Sequence, residues 1–347
     1  MQAANGAVII RVMMIKHATS TKIAFVFLLL CALLTACDPL APFPTPTAAV
    51  MIVTPEHTAT FTPTITPIPS ETPTPSPTDT PAPTPTPDPC LQAGGTIIPF
   101  DEFRSEIAGE NLRYRVYVPP CYLESQRRFP YAVLLHGLRQ DETEWETIGV
   151  IEALEQGMRL GAVGPMILVM PYTGRIGAAD QFYPDPSLEQ VILEELLPAI
   201  ERDFCTWNDR NYRAIGGISR GGFWAYSIAM RNPDVFGRAG GHSAELAANS
   251  VPNAVSPLAL ASNDAFLPDV DLEMYLDNAS ADPAGESLEL FSSRLAARGI
   301  SHEYTIYPTG GHDEDYWSSH ISEYISFYGE GWPRNFSDLP SCLEPSP

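Results

Sequence analysis

The chain has 347 residues, with 42 Asp and Glu against 20 Lys and Arg and a formal net charge of −22. Its lysines, Lys16 and Lys22, both lie near the start, so arginine is the only fixed cation afterwards. Such an acidic chain is unsuited to nucleic acid or to an anionic membrane face, and its acidity reads as a solvated surface.

Lys16 and Lys22 precede an apolar stretch, Ile23 to Leu34, that ends in Leu34-Thr35-Ala36-Cys37. About 12 apolar residues are too few for a membrane-spanning helix of roughly 20 residues. The segment 1–37 resembles a bacterial lipoprotein signal. That resemblance implies an exported protein whose Cys37 is acylated, becomes the first mature residue and anchors the chain to the membrane. Residues 1–12 add little to such a signal, and Met13 or Met14 is an alternative start.

Residues 38–89 are dominated by Pro and Thr, with Thr-Pro repeats from Thr72 to Pro87 and almost no large apolar side chains. This composition cannot bury a core. Proline holds such a segment near polyproline II, so about 50 residues at ~3.1 Å each reach on the order of 100 Å or more. The expectation is a semi-stiff stalk carrying a single domain over 90–347, about 260 residues and enough for a substantial core. Four cysteines fall in that domain, Cys90, Cys121, Cys205 and Cys342. An exported domain favours two disulfides. Of the three pairings, Cys90 with Cys121 and Cys205 with Cys342 is preferred because it ties each end of the domain to the core. No Cys-x-x-Cys spacing signals zinc.

Within the domain, Leu112 to Val118 alternates like a half-exposed strand. Tyr131 to Leu135 and Met166 to Met170 are continuous apolar runs suited to strands covered on both faces. Helices are expected at Ile148 to Arg159, Ser187 to Arg202, Gly222 to Arg231 and Glu286 to Arg298, the last with Asp282 and Pro283 upstream and Gly299 as a stop. Met274 to Leu276 and His302 to Tyr307 read as the final strands, before one C-terminal helix from about Asp315 to Tyr328. The alternation predicts an α/β fold with a mostly parallel sheet and helices on both faces.

The apolar run Tyr212 to Gly216 leads into Gly217-Ile218-Ser219-Arg220-Gly221 and then a helical stretch. Strand, tight turn and helix are the context of a nucleophile elbow, in which flanking glycines relieve crowding and leave the serine hydroxyl exposed. Ser219 then needs a base and a group to orient that base. Among His242, His302, His312 and His320, His312 stands out, because Gly310-Gly311-His312-Asp313 directly follows the last expected strand. For the acid, Asp277 and Asp282 both follow the start of the penultimate strand. Asp282, in the turn before the helix, is preferred over Asp277, which falls where the strand is still running. Oxyanion donors are expected from the backbone N–H groups of Arg220 and Leu138, the latter because Gly137 allows an unusual backbone angle beside it. His136 is assigned to bracing that loop. No metal or organic cofactor is required by such chemistry.

Leu134-Leu135-His136-Gly137, Gly216 to Gly222, Leu276 to Asp282, and Gly310-Gly311-His312-Asp313 with Tyr316-Trp317 together resemble the esterase D or putative-esterase family of α/β-hydrolases. That family includes feruloyl esterases, S-formylglutathione hydrolases, enterochelin esterases and mycolyltransferases. The resemblance covers nearly all of 90–347 and implies a Ser219, Asp282 and His312 triad. Asn278-Ala279-Ser280-Ala281 stands where the family often has glycine, which keeps Asp277 in play as the acid.

Only about 30 residues separate the strand ending near His242 from Met274, too few for a large cap. An open cleft on a tethered domain suits neutral acyl esters, such as feruloyl or acetyl groups on polysaccharide. Trp145, Tyr172, Phe182, Tyr183 and Trp224 are candidates to line it. The other readings are a mycolyl-type acyltransferase, a non-catalytic surface-binding protein on the same scaffold, and a peptidase, which would lack the extra domain usual in that class.

Overall fold

The computed structural model describes residues 89–182, 184–247, 251–263 and 271–344. The expected signal, the Cys37 lipidation site and nearly all of the Pro/Thr-rich segment lie outside these residues.

Eight strands form one sheet: β1 (Thr96–Ser105), β2 (Glu110–Val118), β3 (Tyr131–Leu135), β4 (Ile167–Pro171), β5 (Arg213–Ile218), β6 (Arg238–His242), β7 (Glu273–Ala279) and β8 (Glu303–Tyr307). Their order is β1-β2-β4-β3-β5-β6-β7-β8. The β1–β2 and β2–β4 pairs are antiparallel and the other pairs parallel. Every residue of β3, β4 and β5 is buried, as continuous apolar runs between two helical layers require. The pleat divides them between the layers. Val133, Leu135 and Ile215 join a core with the helices Leu197–Asp203, Arg220–Arg231 and Gly285–Ala297. Ala132, Leu134 and Ala214 join the opposite core, with the helices Val150–Arg159, Glu314–Ser319 and Ile321–Tyr328.

Two elements depart from the sequence expectations. Strand β1 has no clean period-two pattern because Pro99 interrupts it, yet a proline with no N–H to donate is tolerated on an edge strand, which β1 is. The single helix expected from about Asp315 to Tyr328 is two, broken at His320 (φ −116°, ψ 10°), whose ring stacks on Tyr307 at 3.6 Å between centroids. The expected helix from Ser187 does form, with a π-helical stretch at Val191–Leu196.

Disulfides join Cys90 to Cys121 and Cys205 to Cys342, the preferred pairing. The second closes a separation of 137 residues and fastens the C-terminal segment beside the loop leading to β5. Strand order reverses at β3, so the crevice beyond the carboxyl ends of β3 and β5 is a topological switch point, where open α/β sheets place ligands. The stretch 243–272 that follows β6 holds, among its described residues, only the one-turn helix Pro257–Leu260.

Candidate active site

Ser219 directly follows β5 with φ 53° and ψ −115°, a conformation that a residue with a Cβ rarely adopts. Neighbouring backbone holds it there. The Ser219 N–H donates to the His242 carbonyl at 2.9 Å, and the Ser219 carbonyl accepts from Glu245 N–H and Phe223 N–H, each at 3.2 Å. The turn therefore directs the hydroxyl away from the sheet, while Arg220 opens the helix Arg220–Arg231 with an N–H that has no intrahelical acceptor.

His312 Nε2 lies 2.8 Å from Ser219 Oγ, and its Nδ1 lies 2.9 Å from Asp282 Oδ1. An ionised carboxylate only accepts, so Nδ1 carries the proton and Nε2 is left to accept from the serine hydroxyl. Asp282 Oδ1 also accepts the Ala284 N–H at 2.8 Å. Burial favours the neutral acid at Asp282, but hydrogen bonds from His312 and Ala284, with the nearby Ser243 hydroxyl, outweigh it and hold the carboxyl below its ordinary range. The other oxygen, Asp282 Oδ2, is buried without a hydrogen-bond partner among the described residues. At His312 the hydrogen bond to Asp282 is the largest influence and exceeds the opposing burial, so its pKa is raised, with Glu245 and Asp313 adding to the effect. Protonated His312 cannot accept the serine proton. Activity that depends on it should therefore fall as pH drops through an inflection above the usual histidine value of about 6.5. A kcat/KM profile on a neutral ester, repeated with Asp282→Asn, tests this: the substitution should move the inflection down, and a wild-type profile flat to about pH 5 would contradict it.

Asp277 is placed apart from His312. It is fully buried in β7, with Oδ1 2.7 Å from His242 Nδ1 and Oδ2 accepting from the Tyr316 and Tyr324 hydroxyls at 2.6 and 2.9 Å. Only Asp282 reaches the imidazole.

Leu138 borders the same cleft, about 490 Å³ and open, as Ser219 and His312. The role expected for Gly137 needs correction. The positive φ in this loop belongs to Arg139 (72°), not to Gly137. A Cβ at 137 would meet the end of the Gln140 side chain, 2.5 Å from Oε1, which could move aside only by disturbing its bond to the Gly137 N–H. The Gly137 N–H is committed to Gln140 Oε1 at 2.8 Å. His136 braces the loop as expected: Nε2 accepts the Thr173 N–H at 3.0 Å, which leaves Nδ1–H to donate to the Gly137 carbonyl at 2.7 Å.

Of the proposed cleft aromatics, Trp145 and Phe182 are buried in the two cores, and Tyr183 lies outside the described residues. Tyr172 and Trp224 border a recess of about 190 Å³ on the far side of the 137–140 loop. The Arg220 guanidinium folds toward this side, bonded to Asp180 at 2.8 Å and to the Ala179 carbonyl at 2.9 Å. Trp317 was not among the proposed aromatics. It borders the main cleft and meets the His312 ring edge-on at 5.3 Å, and its place five residues after His312 was the available signal. The cleft rim carries Asp313, Glu314 and Asp315 against one arginine, Arg139, and so is acidic on balance. Nearby Glu144 is pushed up to about 7, first by burial and then by the charges of Glu314 and Asp141.

A doubly wound sheet with a serine elbow at its switch point defines an α/β-hydrolase. The model of the family described as "Putative esterase" matches residues 105–327, and the chain belongs to that family. An "Endo-1,4-beta-xylanase/feruloyl esterase" of Xylanibacter ruminicola is 32% identical over 144 residues, covering 39% of this chain and 20% of that protein. An esterase of Mycobacterium tuberculosis is 31% identical over 147 residues, covering 41% and 31% respectively. The chain thus spans less than a third of the length of either relative. Among solved structures, a ferulic acid esterase superposes with a TM-score of 0.62 at 23% identity, over 68% of this chain and 98% of that one. FphF, a fluorophosphonate-binding serine hydrolase of Staphylococcus aureus, gives 0.57 at 19% identity, over 69% and 100%.

Proposed function

We propose that this protein is a serine carboxylic ester hydrolase working through a covalent acyl-enzyme. The reading rests on one observation: an unbroken line of hydrogen bonds from Ser219 through His312 to Asp282 at a strained elbow. Ser219 Oγ attacks the ester carbonyl as His312 Nε2 takes its proton, and Asp282 stabilises the imidazolium. The Arg220 and Leu138 N–H groups receive the oxyanion. Collapse of that intermediate expels the alcohol, which takes the proton back from His312. Water, activated by the same histidine, then frees the acid and restores Ser219.

The substrate class proposed is a neutral acyl ester, with feruloyl or acetyl groups on polysaccharide foremost. Support comes from the open cleft, its acidic rim, which repels anionic leaving groups, and the feruloyl esterase activity named for one relative. Export and anchoring through Cys37 on a Pro/Thr-rich stalk complete the proposal. Retention of a Cys37→Ala variant in the membrane fraction would rule out the anchor. Methyl ferulate, p-nitrophenyl acetate and a long-chain p-nitrophenyl ester should be compared on the purified 90–347 domain. Release from the first two with little from the third is expected, and the reverse order would overturn the substrate class.

A further inference from the structure

We infer that Tyr316, held by the buried carboxylate of Asp277, is a positioning residue that locks the two supporting arms of the site into one unit. The inference rests on the triad proposed above. Asp282 and His312 come to the site from different strands, Asp282 five residues past Asp277 of β7 and His312, which contacts Ser219, from the loop after β8. Strands β7 and β8 pair directly, and Ser280 donates to the Tyr307 and Pro308 carbonyls at 2.7 and 2.9 Å, but these bonds stop short of His312. The helix Glu314–Ser319, which begins two residues after His312, is fastened at two consecutive side chains. The Tyr316 hydroxyl donates to Asp277 Oδ2 at 2.6 Å, and Trp317 Nε1 donates to Ser243 Oγ at 3.1 Å. Its first turn is closed by Asp313 Oδ1, which accepts the Tyr316 N–H at 2.9 Å. Tyr316 thereby joins the histidine arm to the strand that carries the acid arm.

The anchor is held by three side chains, those of His242, Tyr316 and Tyr324. Asp277 Oδ1 pairs with His242 Nδ1, and His242 Nε2 lies 2.8 Å from the Tyr328 hydroxyl. The Tyr316 and Tyr328 hydroxyls are raised far above the ordinary tyrosine range, by burial first and then by the Asp277 charge, so they remain protonated donors. The same cluster touches the nucleophile, because the His242 carbonyl accepts the Ser219 N–H and the Asp277 carbonyl accepts the Ser243 N–H at 2.8 Å.

Tyr324 supplies an internal control. Its hydroxyl also donates to Asp277 Oδ2, but it sits on the helix Ile321–Tyr328, beyond the break at His320. Tyr316→Phe and Tyr324→Phe each remove one donor from the same oxygen and leave Asp277 the others, so thermal midpoints should shift alike. Only Tyr316→Phe should lower kcat, on the order of tenfold with KM nearly unchanged, as small displacements of a catalytic group do. It should also move the His312 titration down as the bond to Asp282 loosens. The other charges facing that ring, Glu245 and Asp313, are untouched. His312 is followed by NMR on ring-labelled protein, a readout needing no turnover. Equal effects of the two variants on kcat and on the titration would overturn the inference. A Tyr316-specific titration shift in a protein that cleaves no ester would instead sustain the tether and remove the esterase reading.

Discussion

Ser219→Ala is expected to lower kcat on p-nitrophenyl acetate by about 10⁴-fold or more, with KM and thermal midpoint nearly unchanged. A loss of that size is ~5.5 kcal/mol of transition-state stabilisation at about 1.4 kcal/mol per decade. The geometry requires it. Oγ is the atom His312 Nε2 is hydrogen-bonded to, so its removal leaves the imidazole without a nucleophile to activate while the proposed oxyanion donors stay in place. Alanine keeps a Cβ, so the strain at φ 53° persists. Ser219→Gly relieves it and should be more stable than Ser219→Ala by roughly 0.5–1 kcal/mol. Turnover by Ser219→Ala within tenfold of the parent would remove Ser219 as nucleophile.

Gly221→Ala should destabilise the domain by about 3 kcal/mol or more, read as the shift of its urea midpoint at constant slope. A Cβ at 221 would lie 2.7 Å from the His136 carbonyl oxygen and overlap that of Leu135. Both obstacles are backbone, at the end of β3 and the start of the 137–140 loop, so no side chain can swing aside. Either the helix Arg220–Arg231 lifts or the loop moves, and both displace the proposed oxyanion donors. The fraction that still folds should show a lower kcat. A cost under about 1 kcal/mol would mean the elbow is looser than its packing implies.

Much of the fold was readable because the strong signals are local. The inner strands β3 and β4 and the strand leading to Ser219 are apolar runs too long to leave exposed, and the helix before β8 carries its own stop in Gly299. Strand β1 was not readable, since Pro99 spoils its pattern and only pairing with β2 makes it a strand. The break at His320 was likewise hidden, because the ring it stacks on belongs to β8. Within the site, Ser219 and His312 announced themselves by glycine-flanked motifs at strand ends. The acid did not. Asp277 and Asp282 differ in sequence by a few residues of strand length, and in space by whether the carboxylate meets His242 or His312.

The chain's own pattern of residues was therefore enough for an α/β sheet, a serine elbow at its centre and a histidine beyond its last strand, because glycine spacing and apolar runs act through neighbours in the chain. The folded molecule turned the preference for Asp282 into a contact with His312, committed Asp277 to the tyrosine cluster, buried Trp145 and Phe182, and brought Trp317 to the cleft. These outcomes depend on contacts between residues tens of positions apart, such as His312 with Ser219 and Tyr316 with Asp277. A buried carboxylate takes whichever donors the packing brings within about 3 Å, and that distance is set by how the strands align in the sheet.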